Sequence, residues 1–210
     1  MDKNTLQMNR VRAVRAVENL KKNKFDAHFV ESVAQMKELI ATMIPEGVSV
    51  AVGGSMTLFE TGIIDWVRQQ PVTFYDRYNP DNDVQEMFRK AFISDVFVTS
   101  TNAVTLEGEL LNVDAGGNRT AAMIFGPKKV LVIAGINKLV KNMAEAELLI
   151  KRTARPMNNE RLNTNNPCRL VGECTECITE SRICSVFVRI ARSQIRDRIS
   201  VILVNENLGY

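Results

Sequence analysis

Histidine is nearly absent from this 210-residue chain, which holds only His28. Without a second imidazole, a metal site or a catalytic pair built on histidines is excluded, and a lone His in a short alternating strand is usually structural. Aromatic residues amount to 6%, with one Trp and three Tyr, and the net charge is only +3. Little surface is left on which bases could stack, and no strongly basic footprint exists, so no nucleic-acid partner is expected. No window reaches the roughly 18 apolar residues that a membrane span needs. Met1-Asp2-Lys3-Asn4 is too polar to open a secretory signal. A cytoplasmic protein without a membrane span is the expectation. Repeats and low-complexity tracts are missing too, and cysteine is missing until residue 168.

What is present is 45% hydrophobic residue spread along the chain, enough for one large domain or a domain with an appendage. Leu6 to Lys24 has helical period, with Val11, Val14, Val17 and Leu20 on one side. Phe25 to Val30 predicts a first strand. Ser32 is an N-cap for a helix through Ile44, stopped by Pro45-Glu46-Gly47. A strand over 48–52 then runs through Gly53-Gly54-Ser55 into a helix over Met56 to Gln69. Strand, glycine-rich loop and helix is an arrangement that offers helix-terminal N–H groups to phosphate or carboxylate, although any tight strand-to-helix turn can use the same residues. Further strands are expected at 72–75, 95–99 and 129–134, with helices over Val84 to Phe92 and Leu139 to about Arg152. These alternations predict an α/β fold, a three-layer open and mostly parallel sheet. Residues 1–154 form its core, 155–185 a cysteine-rich wrapping loop, and 186–210 two C-terminal strands added to complete the same domain.

Ser55, Arg77, Asn102, Glu107, Asp114, Asn118 and Arg119 all follow apolar runs. In an open α/β sheet, ligands sit beyond the carboxyl ends of the strands, so these residues together with Gly53 and Gly54 are candidates for one cleft. Loop ends are polar in any case. The segment Asp114-Ala115-Gly116-Gly117-Asn118-Arg119 brings adjacent glycines and a fixed cation between strands, which suits an anion; a plain hairpin turn is the blander alternative. Glu107-Gly108-Glu109 reads as a tight turn.

Glu-Gly-Glu-Leu, Asn-Val-Asp, Gly-Asn-Arg, Phe-Gly-Pro-Lys-Lys-Val and Ala-Gly-Ile-Asn-Lys follow one another between residues 107 and 138. Together with Gly53-Gly54-Ser55-Met56-Thr57, Asp76-Arg77-Tyr78 and the C-terminal cysteines, they resemble the lactate-utilisation (LUD) domain family over nearly the whole chain. That resemblance implies the fold of the ribose-5-phosphate isomerase, glucosamine-6-phosphate deaminase and CoA transferase superfamily.

The four cysteines are spaced Cys168-x5-Cys174-x2-Cys177-x6-Cys184. Without a secretion signal, thiolate ligation of a metal is a better reading than disulfides. Four thiolates suit a tetrahedral zinc or an Fe-S cluster. The spacing has neither the second Cys-x2-Cys knuckle of zinc ribbons nor the terminal Cys-Pro of ferredoxins, since Ser185 follows Cys184. Family members resembling the α/β portion need not carry these cysteines, and four reduced cysteines without a ligand is the alternative.

Three functions compete. The first is an accessory or subunit of lactate-type organic-acid oxidation, binding a small anionic metabolite in the cleft and working with iron-sulfur or oxidoreductase partner subunits. The second is a free-standing isomerase- or CoA transferase-like enzyme, with Glu107, Glu109 or Asp114 as the catalytic carboxylate. The third is a structural or regulatory module held by zinc. A homo-oligomer is compatible with each.

Overall fold

The computed structural model describes residues 2–210, with a helix-strand alternation that builds two sheets. Asp2 caps α1 (Lys3–Lys22) by accepting from the amides of Asn4 and Thr5. The inward face of α1 is Ala13, Ala16 and Leu20, whereas Val11 and Val14 are 54% and 45% exposed. Small residues let the helix axis approach the sheet closely, which rotates the buried arc away from the valines expected there. β1 (Asp26–Val30) leads to α2 (Val33–Met43), where Ser32 Oγ accepts from the Gln35 amide. After β2 (Ser49–Val52), the helix expected over 56–69 is two helices, α3 (Met56–Glu60) and α4 (Ile63–Arg68). Gly62 breaks it at φ +64, a conformation closed to most residues.

β3 (Thr73–Tyr75), α5 (Val84–Ile93) capped by Asp83, and β4 (Val96–Ser100) follow. β5 (Ala103–Thr105) and β6 (Leu110–Asp114) form an antiparallel hairpin. Residues 114–119 are not a hairpin turn. Gly117, at φ +80, caps α6 (Asn118–Ile124), so a strand passes into a helix there. β7 (Lys129–Gly135), a 3-10 turn (Ile136–Lys138) and β8 (Leu139–Val140) precede α7 (Met143–Arg152). α7 starts four residues later than its periodicity suggested, because Asn142 caps it by accepting from the Glu145 amide. The segment expected as a wrapping loop opens with α8 (Ala154–Arg161). Pro156 lies in the first turn of α8, where its missing N–H would have had no helical acceptor. α9 (Cys168–Val171), β9 (Val186–Ile190) and β10 (Ile199–Val204) complete the chain.

The main sheet has the order β1-β10-β7-β4-β2-β3, every pairing parallel. Alternate residues of its strands enter two cores. Val130, Val132, Val201 and Leu203 pack with α1 and α6, while Leu131, Ile133, Ile202 and Val204 pack with α2, α3 and α4. Burial on both faces accounts for the continuous apolar runs. The C-terminal strands are not additions at one side: β10 is threaded between β1 and β7, and β9 joins a second sheet of order β8-β5-β6-β9. That second, mixed sheet was not foreseen. It packs on the first core by Val104 and Leu110, and Ala103 and Leu111 on its other face meet Ala146 and Ile150 of α7. No helix of the described residues is long and apolar enough to cross a membrane.

Candidate functional site

A cavity of about 170 Å³ opens at the carboxyl ends of β2, β4 and β6, walled on the far side by α7, α8 and the cysteine loop. Its size is close to that of an engineered cavity of about 150 Å³ that holds benzene, so it suits a small metabolite. The lining includes Gly54, Ser55, Asn102, Asp114 and Arg119 from the residues singled out above. Gly53 stands just behind: a Cβ there would lie 2.6 Å from Thr99 Oγ1 and 3.2 Å from Arg119 Cγ, so the loop needs glycine to lie on the arginine stem. Gly54 is similarly covered by Arg77, whose Nη1 would be 3.2 Å from an added Cβ. The guanidinium of Arg77 is sandwiched 4.4 Å from the Phe88 ring centre and 5.2 Å from that of Tyr78, and its Nε is buried without a partner. Burial lowers its pKa. Asn118 opens α6 but does not line the cavity. With only five residues in α3, the glycine loop acts by close approach and not by a long helix's field.

Arg119 is 8% exposed and spends its donors on the protein. Nε donates to Asp114 Oδ1 at 2.9 Å, Nη1 to Ser100 O at 2.8 Å and Asn112 Oδ1 at 2.6 Å, and Nη2 to Asn102 Oδ1 at 3.1 Å. Asp114 accepts from the Thr120 amide as well, at 2.8 Å. The pair therefore fixes the cleft wall, tying β4, β6 and α6 together. The other carboxylates lie elsewhere. Glu107 is on the turn at the opposite end of β6, where Asn23 Nδ2 donates to its carbonyl at 3.1 Å, and Glu109 is paired with Arg189 at 2.5 Å.

Polar residues not foreseen also line it, among them Lys138, Arg155, Asn158, Arg161 and Tyr210. Lys138, Arg119, Arg155 and Arg161 share that lining with Asp114, its one side-chain carboxylate. Arg161 Nη2 donates to Asn158 Oδ1 at 3.0 Å. Burial raises the pKa of the Tyr210 phenol, against the opposing charge of Arg161. Lys138 is buried, and desolvation, then Arg119, bring its pKa down to about 7.

Cys168, Cys174, Cys177 and Cys184 line one second, small cavity with Arg155, Asn159, Asn166 and Arg182. All four are free thiols. Burial raises the pKa of Cys168, and the neighbouring Cys177 and Cys174 push the same way; burial also raises that of Cys184, against Arg155. Among the described residues, no three His, Cys, Asp or Glu side chains are closed round a common metal position. The sulfurs thus share a cavity without being drawn to bonding distance of one centre. The donor set itself, four thiols beside Arg155 and Arg182, is of the kind that fits a thiophilic metal. The segment also has a support of its own: Asn166 Nδ2 donates to Asn159 Oδ1 at 2.5 Å and Ser181 O at 2.8 Å, and its Oδ1 accepts from Thr179 and Ser181. Side-chain amides stitch the asparagine-rich run in place of an apolar core.

The two cavities share a wall of Arg155, Ile183 and Cys184. Arg155 Nη1 donates to Cys174 Sγ at 3.0 Å, its guanidinium lies 4.8 Å from the Phe187 ring centre, and its buried Nε has no partner.

A family model described as the LUD domain matches residues 13–204. Among solved structures, a DUF162 family protein from Deinococcus radiodurans is similar in fold, with a TM-score of 0.54 and 11% identity over 94% of this chain and 98% of that one. No curated protein matches the sequence.

Proposed function

From the premise that the chain belongs to the LUD domain family, which points to a lactate-utilisation-related role, we propose that it is a cytoplasmic accessory or subunit of lactate-type organic-acid oxidation. Its ligand is a small anionic metabolite bound in the cleft. The observation that carries this reading is the charge of that cleft: the guanidinium groups of Arg119, Arg155 and Arg161 line it with a single side-chain carboxylate, Asp114, which Arg119 already engages. A ligand of opposite charge relieves that excess, and Arg155 and Arg161, which are paired with no Asp or Glu side chain of the lining, are the groups for it. Glu107 and Glu109 lie outside the cleft, which counts against an enzyme working through either carboxylate.

In the same reading, Cys168, Cys174, Cys177 and Cys184 hold zinc or an Fe-S cluster. Zinc there would pin the loop between α8 and β9, while an Fe-S cluster would relay electrons to an oxidoreductase partner. The shared cavity of the four thiols supports ligation.

Thermal unfolding in the presence of lactate, acetate or inorganic phosphate tests the cleft. A site-binding anion at a hundred times its Kd adds about 2.7 kcal/mol of stability, and Arg161→Ala should abolish the shift. No stabilisation by any small anion would remove the reading. For the cysteines, metal analysis and the visible spectrum of anaerobically purified protein decide: bound zinc without colour ends the electron-transfer role, and a charge-transfer band supports it.

A further inference from the structure

Lys138 lies at the floor of the cleft, on the 3-10 turn after β7, and is 2% exposed. Its Nζ donates to Thr57 Oγ1 at 2.8 Å and to Ser100 Oγ at 2.9 Å. The charged groups acting on it are Arg119 from α6 and, more weakly, Glu60 from α3; among the described residues no carboxylate is at ion-pair distance. A buried ammonium without a counter-ion is costly, and an apolar side chain would fill the same space more cheaply. An amine kept neutral beside a second cation, with an open cavity before it, is the arrangement of a nucleophilic lysine.

We propose that Lys138 captures the carbonyl carbon of a small 2-oxo acid as an imine, with the carboxylate of that acid turned to Arg155 and Arg161. This rests on the cleft being the anion site proposed above. The Nζ lone pair forms the C–N bond while the carbonyl π pair moves to oxygen. One proton passes from nitrogen to that oxygen, giving a carbinolamine. The C–O bond then breaks and the oxygen leaves as water, taking a further proton, as the C=N bond forms. No electrons are gained or lost. The hydroxyls of Thr57 and Ser100, both within hydrogen-bond distance of Nζ, are placed to carry these protons. With its pKa near 7, the amine is largely neutral at pH 7.5, whereas an exposed lysine is neutral to only about one part in a thousand.

Glyoxylate with cyanoborohydride is the probe, because hydride reduces the imine to a stable carboxymethyl-lysine that peptide mapping locates on the wild-type chain. The expected result is one carboxymethyl group on Lys138, formed at least about ten-fold faster than on the exposed Lys21 and Lys22. Lys138→Met should lose it. Equal labelling of Lys138 and the exposed lysines overturns the proposal. Stabilisation by acetate without trapping at Lys138 overturns the covalent role and leaves the anion site standing, whereas no acetate effect and no trapping defeats both readings.

Discussion

Lys138 has a consequence that titration can read without any ligand. Below about pH 7 its ammonium exists in both folded and unfolded chains, and the penalty for burying it is present in full. Between about 7 and the ordinary lysine value of 10.5, the unfolded chain holds a proton that the folded one lacks. Stability therefore rises with pH through that window, at most by about 1.4 kcal/mol per pH unit, and levels off above it. Urea unfolding of wild type and Lys138→Met across pH 6–10 should show the slope in the first and not in the second, with the variant's advantage greatest below pH 7. Parallel curves would mean that Lys138 does not titrate there. Arg119 behaves differently. Arg119→Ala leaves Asp114 buried without its partner and should cost about 3–5 kcal/mol in urea unfolding, and a loss below about 1 kcal/mol would deny the pair its role as a strut. The sequence showed Arg119 and Asp114 through their place after an apolar strand, but not that they would satisfy each other. Lys138 stood at a strand end and closed a family motif, but nothing local marked it as a site residue, and Arg161 and Tyr210 carried no local signal, since their chemistry arises from burial and from neighbours far along the chain.

At the level of elements, the turn between β5 and β6 shows how much depends on one backbone position. Gly108 has φ +82, and a Cβ on it would lie 2.5 Å from Asn19 C and Leu20 N at the end of α1. Gly108→Ala should cost about 1–3 kcal/mol from the left-handed conformation alone, with the clash added. Hydrogen exchange should quicken first in the last turns of α1, while β7 and β10 stay protected; uniform quickening would show that α1 is not a separately loosened element. Period and capping made most elements legible. β1 falls on the short segment expected before Ser32, β9 and β10 fall where their β-branched runs stand, and Ser32 caps as expected. The misses have particular causes. α8 was hidden by the Asn- and Pro-rich composition of its segment, although Pro156 sits in a first turn, where proline is tolerated. The split of α3 from α4 turned on Gly62, which helical period alone does not distinguish from a tolerated glycine. β5 and β8, the strands that make the second sheet more than a pair, are runs of three and two residues, too short for alternation to be seen.

For the whole molecule, the cysteine cavity and the cleft are neighbours and not separate appendages, because Arg155, Ile183 and Cys184 face both. Four thiolates round a divalent metal carry a net charge of minus two, and an anion in the cleft adds another negative group on the other side of the same wall. Both draw on Arg155, which already donates to Cys174 Sγ. Metal and anion should therefore weaken one another, and by thermodynamic necessity each lowers the other's affinity by the same factor. Zinc affinity measured by competition with a chromophoric chelator should fall about five-fold or more when acetate or inorganic phosphate saturates the cleft. Anion affinity should fall equally when zinc is loaded. Arg155→Ala should weaken both ligands while reducing the factor between them, since the shared cation is gone and only through-space repulsion is left. Cys174→Ser with Cys177→Ser should abolish zinc binding and return anion affinity to that of the metal-free wild type. Zinc affinity that is the same with and without anion would show that the common wall transmits nothing, and the two cavities would then have to be understood apart.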